Sequence, residues 1–135
     1  MKNQIINITE NEYNIIKEKT DLSSVFLVEI DGSQIKTVYE LFEAMEKAYY
    51  LHTSNGTWGK NWAAFDDLMT DLDWIPYNKH ILVVKYYDKL LSGYPVEKNR
   101  FIHYLKDSIL PFWEEEVLQY VVEGETKDFT VYLID

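Results

Sequence analysis

Cysteine is absent from the 135 residues, so neither a disulfide framework nor a thiol nucleophile is available. Cations are scarce: 13 lysines and arginines stand against 23 aspartates and glutamates, for a formal net charge of −10. A nucleic-acid binder needs a basic face to meet phosphates, and this balance argues against one. It favours a basic partner, because opposite fields speed encounter. No apolar run approaches the roughly 18 residues needed to cross a membrane, so no membrane association is expected. Nor does such a run follow Met1-Lys2-Asn3-Gln4, so no secretory leader is expected and the cytoplasm is the expected compartment. Internal repeats and low-complexity segments are also missing.

Catalytic patterns are missing as well. There is no nucleophile elbow, phosphate loop or metal-ligand cluster. His52, His80 and His103 lie far apart in sequence and read as structural or exposed. Adjacent Asp66 and Asp67 diverge by about 100° on a helix, so they are poorly placed to flank one scissile bond. Asp67, Asp71 and Asp73 lack the Asp-x-Asp-x-Asp-Gly loop of a calcium site. Glu114, Glu115 and Glu116 read as a solvated helix face. The expectation is a protein that is not an enzyme and carries no cofactor or metal.

What is present suits one α/β domain. The hydrophobic share of 47% is enough for a sizeable core and argues against disorder. Aromatics make up 16%, with eleven tyrosines, a type used both in cores and at interfaces. Gln4 to Ile8 reads as a short strand, and Thr9-Glu10-Asn11-Glu12 as a capping box opening a helix to Lys19. Val25 to Ile30 is an apolar run broken only by Glu29, which suits a strand covered on both faces. Asp31-Gly32 turns the chain, and a second capping box at Thr37-Val38-Tyr39-Glu40 opens a helix to about Tyr50. His80 to Tyr86 reads as a buried strand, Val96 to Leu110 as a helix that Pro111 should end or kink, and Phe112 to Val122 as a further helical segment. Gly124 breaks it, and Asp128 to Ile134 is the final strand. Strands separated by helices predict parallel pairing.

The densest information lies between Trp58 and Trp74. Trp62, Phe65, Met69 and Leu72 fall on one helical stripe, with Leu68 beside it, and Asn61 suits the N-cap. Trp62 and Phe65 are therefore expected in the core and Trp58 at least partly in solvent. Asp67 points almost opposite the stripe and Asp71 lies close to it; Asp66 borders the stripe and should be less available. Such a helix sits on a core by one side and shows carboxylates by the other.

The same residues, Trp58, Gly59, Asn61, Trp62, Ala64, Asp67, Met69, Asp71, Leu72 and Trp74, resemble the signature of the barstar family, small inhibitors of bacterial ribonucleases. The resemblance covers roughly Ser24 onward, leaving residues 1–22 as an N-terminal extension to a domain over 23–135. It implies a three-stranded parallel sheet packed with helices. The implied function is an inhibitor or immunity protein, a monomer when free, that occludes a basic ribonuclease or nuclease toxin with an acidic helix face. The alternative is a binding module of the same fold with an unrelated, non-inhibited partner. A ribonuclease site holds a phosphate with Lys, Arg and His, and a rigid carboxylate can stand in for that phosphate. By the resemblance Asp67 is the plugging carboxylate. The family's other signature aspartate falls on Ala63, its tyrosine before the aromatic-Gly pair on Thr57, and its aromatic on Trp58. Asp66 replaces an aromatic, and an acidic contact from a later helix maps near Asp107. Residues 111–124 exceed the family pattern.

Overall fold

The computed structural model describes residues 2–135, and among these four strands form one sheet. They are β1 (Gln4–Asn7), β2 (Phe26–Asp31), β3 (Lys79–Lys85) and β4 (Asp128–Leu133), in the order β1-β4-β3-β2 with every pairing parallel. The parallel sheet agrees with the strand–helix alternation. It has one strand more than the three that the resemblance implies: β1, from the N-terminal segment, adds to β4 with Gln4 opposite Thr130 and Asn7 opposite Leu133. The buried Asn3 side chain fixes this register. Its amide donates to the carbonyls of Leu110 and Lys127 at 3.1 and 3.0 Å, and its oxygen accepts from the Phe129 N–H at 2.9 Å.

β2 departs from the expected two-sided burial because it forms an edge of the sheet. Phe26, Val28 and Ile30 face the main core, while Glu29 on the other side stays exposed. There Lys17 bonds it at 3.1 Å, the Tyr13 hydroxyl donates to it, and Lys85 lies nearby. Burial opposes ionisation of Glu29, but the Tyr13 and Lys17 hydrogen bonds and the Lys85 charge hold its carboxyl below the usual range.

Helix α1 (Glu10–Lys19) lies over this second face, placing buried Tyr13 against Val83 and Ile134. Helices α2 (Val38–Tyr49), α3 (Trp62–Met69) and α4 (Pro95–Tyr104) pack their apolar sides with Leu82, Val84, Phe129 and Val131 from the opposite face. Both capping boxes form: Thr9 with Glu12, and Thr37 with Glu40.

Pro111 does not end the helical run. From α4 the chain passes through a π-turn at Leu105–Ile109, Pro111 in αR geometry, a second π-turn at Phe112–Glu116, and α5 (Val117–Tyr120). Proline removes a donor and crowds the carbonyl four residues earlier, here Asp107. The widened turn around that carbonyl, with Leu110 N–H reaching back to Leu105, gives the ring room.

His80, at the start of β3, is buried and stacks on Phe129 at 5.1 Å, with Nε2 2.9 Å from the Tyr77 carbonyl. Its Nδ1 has no partner among the described residues. Burial, reinforced by the Lys127 charge, pushes its pKa down to about 4. The unfolded imidazole titrates near 6.5, so acidification protonates the unfolded chain first and stability falls as pH drops from about 6.5 toward 4. At pH 4.5 this one group is expected to remove about 2–3 kcal/mol. Denaturant titrations at pH 7 and 4.5 check it: the loss on acidification should be smaller by that amount in His80→Phe, which retains the ring stack.

Candidate functional site

The segment leading into α3 is fastened to α2. Trp58 is only 6% exposed, which corrects the expectation that it faces solvent. Its Nε1 donates to Glu46 at 2.7 Å and its ring meets Phe42 edge-on, two partners on α2 that the local pattern does not reveal. Lys60 also reaches Glu46, at 3.6 Å, and lies over the Tyr39 ring. Thr57 is exposed, its carbonyl accepting from the Thr53 hydroxyl. Asn61 caps α3 through its oxygen, which accepts from the Ala64 N–H at 2.8 Å. A Cβ at Gly59 would come within 2.6 Å of the Asn61 amide nitrogen, so glycine leaves the space in which the cap sits.

α3 then divides by face as its periodicity predicts. Phe65 and Met69 are fully buried. Trp62 is half-buried rather than core: it stacks on Tyr104 at 5.3 Å and donates through Nε1 to Glu97 at 2.9 Å, because α4 covers only part of its ring. Ala63, Asp67 and Asp71 are all exposed, at positions four residues apart. Ala63 and Asp67 therefore share one solvent-facing side of α3, and Asp71 is exposed in the turn that follows it. Asp66 is half-buried, and its Oδ1 accepts from the Ser108 hydroxyl at 2.6 Å, tying α3 to the first π-turn. Asp107, the residue before Ser108, pairs with His103 at 2.8 Å. At the far end Trp113 Nε1 donates to the Met69 carbonyl at 2.8 Å, and buried Leu72 closes the turn with φ of 48°.

The charges on this segment are arranged against the stability of the helix. No acid stands in the first turn of α3, where the dipole favours one; Asp66 and Asp67 lie in its second half and Asp71 just beyond. Burial and the neighbouring Asp73 charge push the Asp71 carboxyl above its usual range. Among the described residues no cation pairs with Asp66, Asp67, Asp71 or Asp73 within 4 Å. The arrangement can offer an anionic ridge to a cationic surface. No group of three metal-ligating side chains is found among the described residues. No helix of the described residues is long and apolar enough to cross a membrane.

The sequence model of the family described as Barstar (barnase inhibitor) matches residues 25–133. The chain belongs to the barstar family. No curated protein matches it. The barstar match begins one residue before β2 and ends with β4, so β1 and α1 lie outside it while the whole of α3 lies within. Sequence pattern alone does not single out Glu46, the anchor of the Trp58–Lys60 segment, because α2 presents it from another part of the chain.

Proposed function

We propose that this chain is an inhibitor or immunity protein that occludes the active site of a basic bacterial ribonuclease or nuclease toxin. The carrying observation is Asp67: an exposed carboxylate without a cationic partner among the described residues, on a helix pinned by Asn61 at one end and by Trp113 at the other. A carboxylate held in this way loses little entropy on docking and can occupy the place of a substrate phosphate among Lys, Arg and His side chains. Ala63 and Asp71 continue the ridge, and Thr57 and Asp107 complete the contact set that family membership suggests. The protein acts in the cytoplasm, free as a monomer, with no cofactor and no catalysis of its own.

The test is titration of the purified chain against barnase and a panel of basic bacterial ribonucleases, read as loss of RNA cleavage. Stoichiometric inhibition of one of them supports the reading; cleavage unaffected across the panel at micromolar inhibitor rejects it. The association rate is expected to fall steeply as salt rises, because a net charge of −10 steers a basic partner over distances screened within about 8 Å at physiological ionic strength. Stopped-flow association at low and high salt checks this, and a rate indifferent to salt contradicts it.

A further inference from the structure

At the end of α5 and just beyond it the chain places three consecutive apolar residues in solvent. Tyr120, Val121 and Val122 are 74%, 45% and 94% exposed, and Leu118 before them is 60% exposed. Solvated runs of this kind are disfavoured unless something covers them. The segment is ordered by its own bonds: the Val121 N–H donates to the Val117 carbonyl at 3.1 Å, and the Gly124 N–H to the Val121 carbonyl at 3.0 Å. A Cβ at Gly124 would lie 2.7 Å from the Val117 carbonyl, so the turn closes tightly and holds the apolar side chains outward.

The patch continues into the acidic ridge. Val121 and Gly124 line a cleft of about 310 Å³ whose other lining includes Asp71, Leu72 and Asp73 at the end of α3. The exposed charged side chains of the patch and the cleft are acidic: Glu115, Glu123 and Glu125 near the patch in the chain, and Asp71 and Asp73 at the cleft. Lys127 in the cleft is buried, its ammonium spent on the Tyr77 carbonyl at 2.7 Å. A second copy of this chain would set carboxylates against carboxylates. A basic protein would not.

We infer that Leu118–Val122 is a second contact surface for the same partner that Asp67 engages, receiving an apolar patch ringed by lysine or arginine side chains that face the cleft carboxylates. This rests on the inhibitor reading above. It gives this segment, which lies within the family match, a role in choosing which ribonuclease is bound.

The experiment uses the full chain and its Tyr120→Ser/Val122→Ser variant against barnase and the same ribonuclease panel, with Asp67→Ala as reference. The expected result is at least tenfold weaker inhibition by the double variant, with an unchanged thermal midpoint because both side chains are solvated. Unchanged inhibition by the double variant, while Asp67→Ala is impaired, overturns this inference and leaves the inhibitor reading standing. A wild-type chain that inhibits none of the panel overturns both. Sedimentation of the free protein adds a third arm: a wild-type dimer that the double variant dissolves would show that a second copy covers the patch, and would overturn the inference.

Discussion

Asp67→Ala is expected to weaken binding to the inhibited ribonuclease by about 2–5 kcal/mol while leaving folding nearly unchanged; removing one member of a buried interfacial charge pair costs this much because the opposing cations stay desolvated, a range drawn in part from the barnase–barstar pair itself. The folding side follows from the surroundings of Asp67, which is exposed and makes no side-chain bond or ion pair among the described residues. Asp73→Ala, at an exposed rim position, should cost about 0–1 kcal/mol. Asp66→Ala should behave differently from both, because its carboxylate ties α3 to Ser108 and its loss is read in stability before it is read in binding. Ala63→Asp completes the series. It places an acid in the first turn of α3, where the dipole favours it, and in line with Asp67. Tighter binding would show a partner that keeps the family's second cationic contact; weaker binding would show one that has lost it. Inhibition constants for these variants against one ribonuclease decide the matter, and wild-type affinity for Asp67→Ala would reject the assigned surface.

Phe65→Ala is expected to destabilise the fold by about 3–5 kcal/mol, the range for deleting a buried large aromatic. The ring is fully buried, near Phe42 at 5.9 Å, Trp62 at 5.8 Å and Phe101 at 6.2 Å, so it joins α2, α3 and α4. Trp62→Ala should cost less, about 1–3 kcal/mol, since it forfeits one stack, two edge-on aromatic contacts, one hydrogen bond and only part of a buried face. Denaturant unfolding of the two variants checks the order. A loss under about 1 kcal/mol for Phe65→Ala would mean that the faces of α3 are assigned wrongly.

Features governed by neighbours in sequence are legible from the residues alone. Thr9, Thr37 and Asn61 cap the helices that their positions predict, because a capping side chain needs only the backbone N–H three residues on. The period of the signature places Phe65 inward and Asp67 outward for the same reason. Features governed by distant partners are not legible in this way. Trp58 is buried because Glu46 and Phe42 of α2 receive it, and Asp66 is held by a serine 42 residues away. An apolar run such as Val25–Ile30 does not say whether a strand is central or at an edge; the pairing order does. Pro111 does not end the run because that effect presumes a regular helix, and here the turns on either side are wide. The patch at Tyr120–Val122 reads as the end of a helix, although three successive apolar residues without helical spacing stand there.

The seating of β1 beside β4 has a kinetic side. Gln4 and Thr130 are partners in the sheet, and β4 must lie between β1 and β3 before either is fully hydrogen-bonded. Closing a loop of that span is a late event, and contacts so distant in sequence slow folding. A nascent chain on the ribosome can therefore form α1, α2 and α3 while its sheet stays open until β4 emerges. Trp113, which holds the far end of α3 through the Met69 carbonyl, also comes late in synthesis. The carboxylate ridge becomes rigid only when synthesis of the domain is nearly complete, so under the proposed function a nascent molecule cannot yet occupy a ribonuclease site.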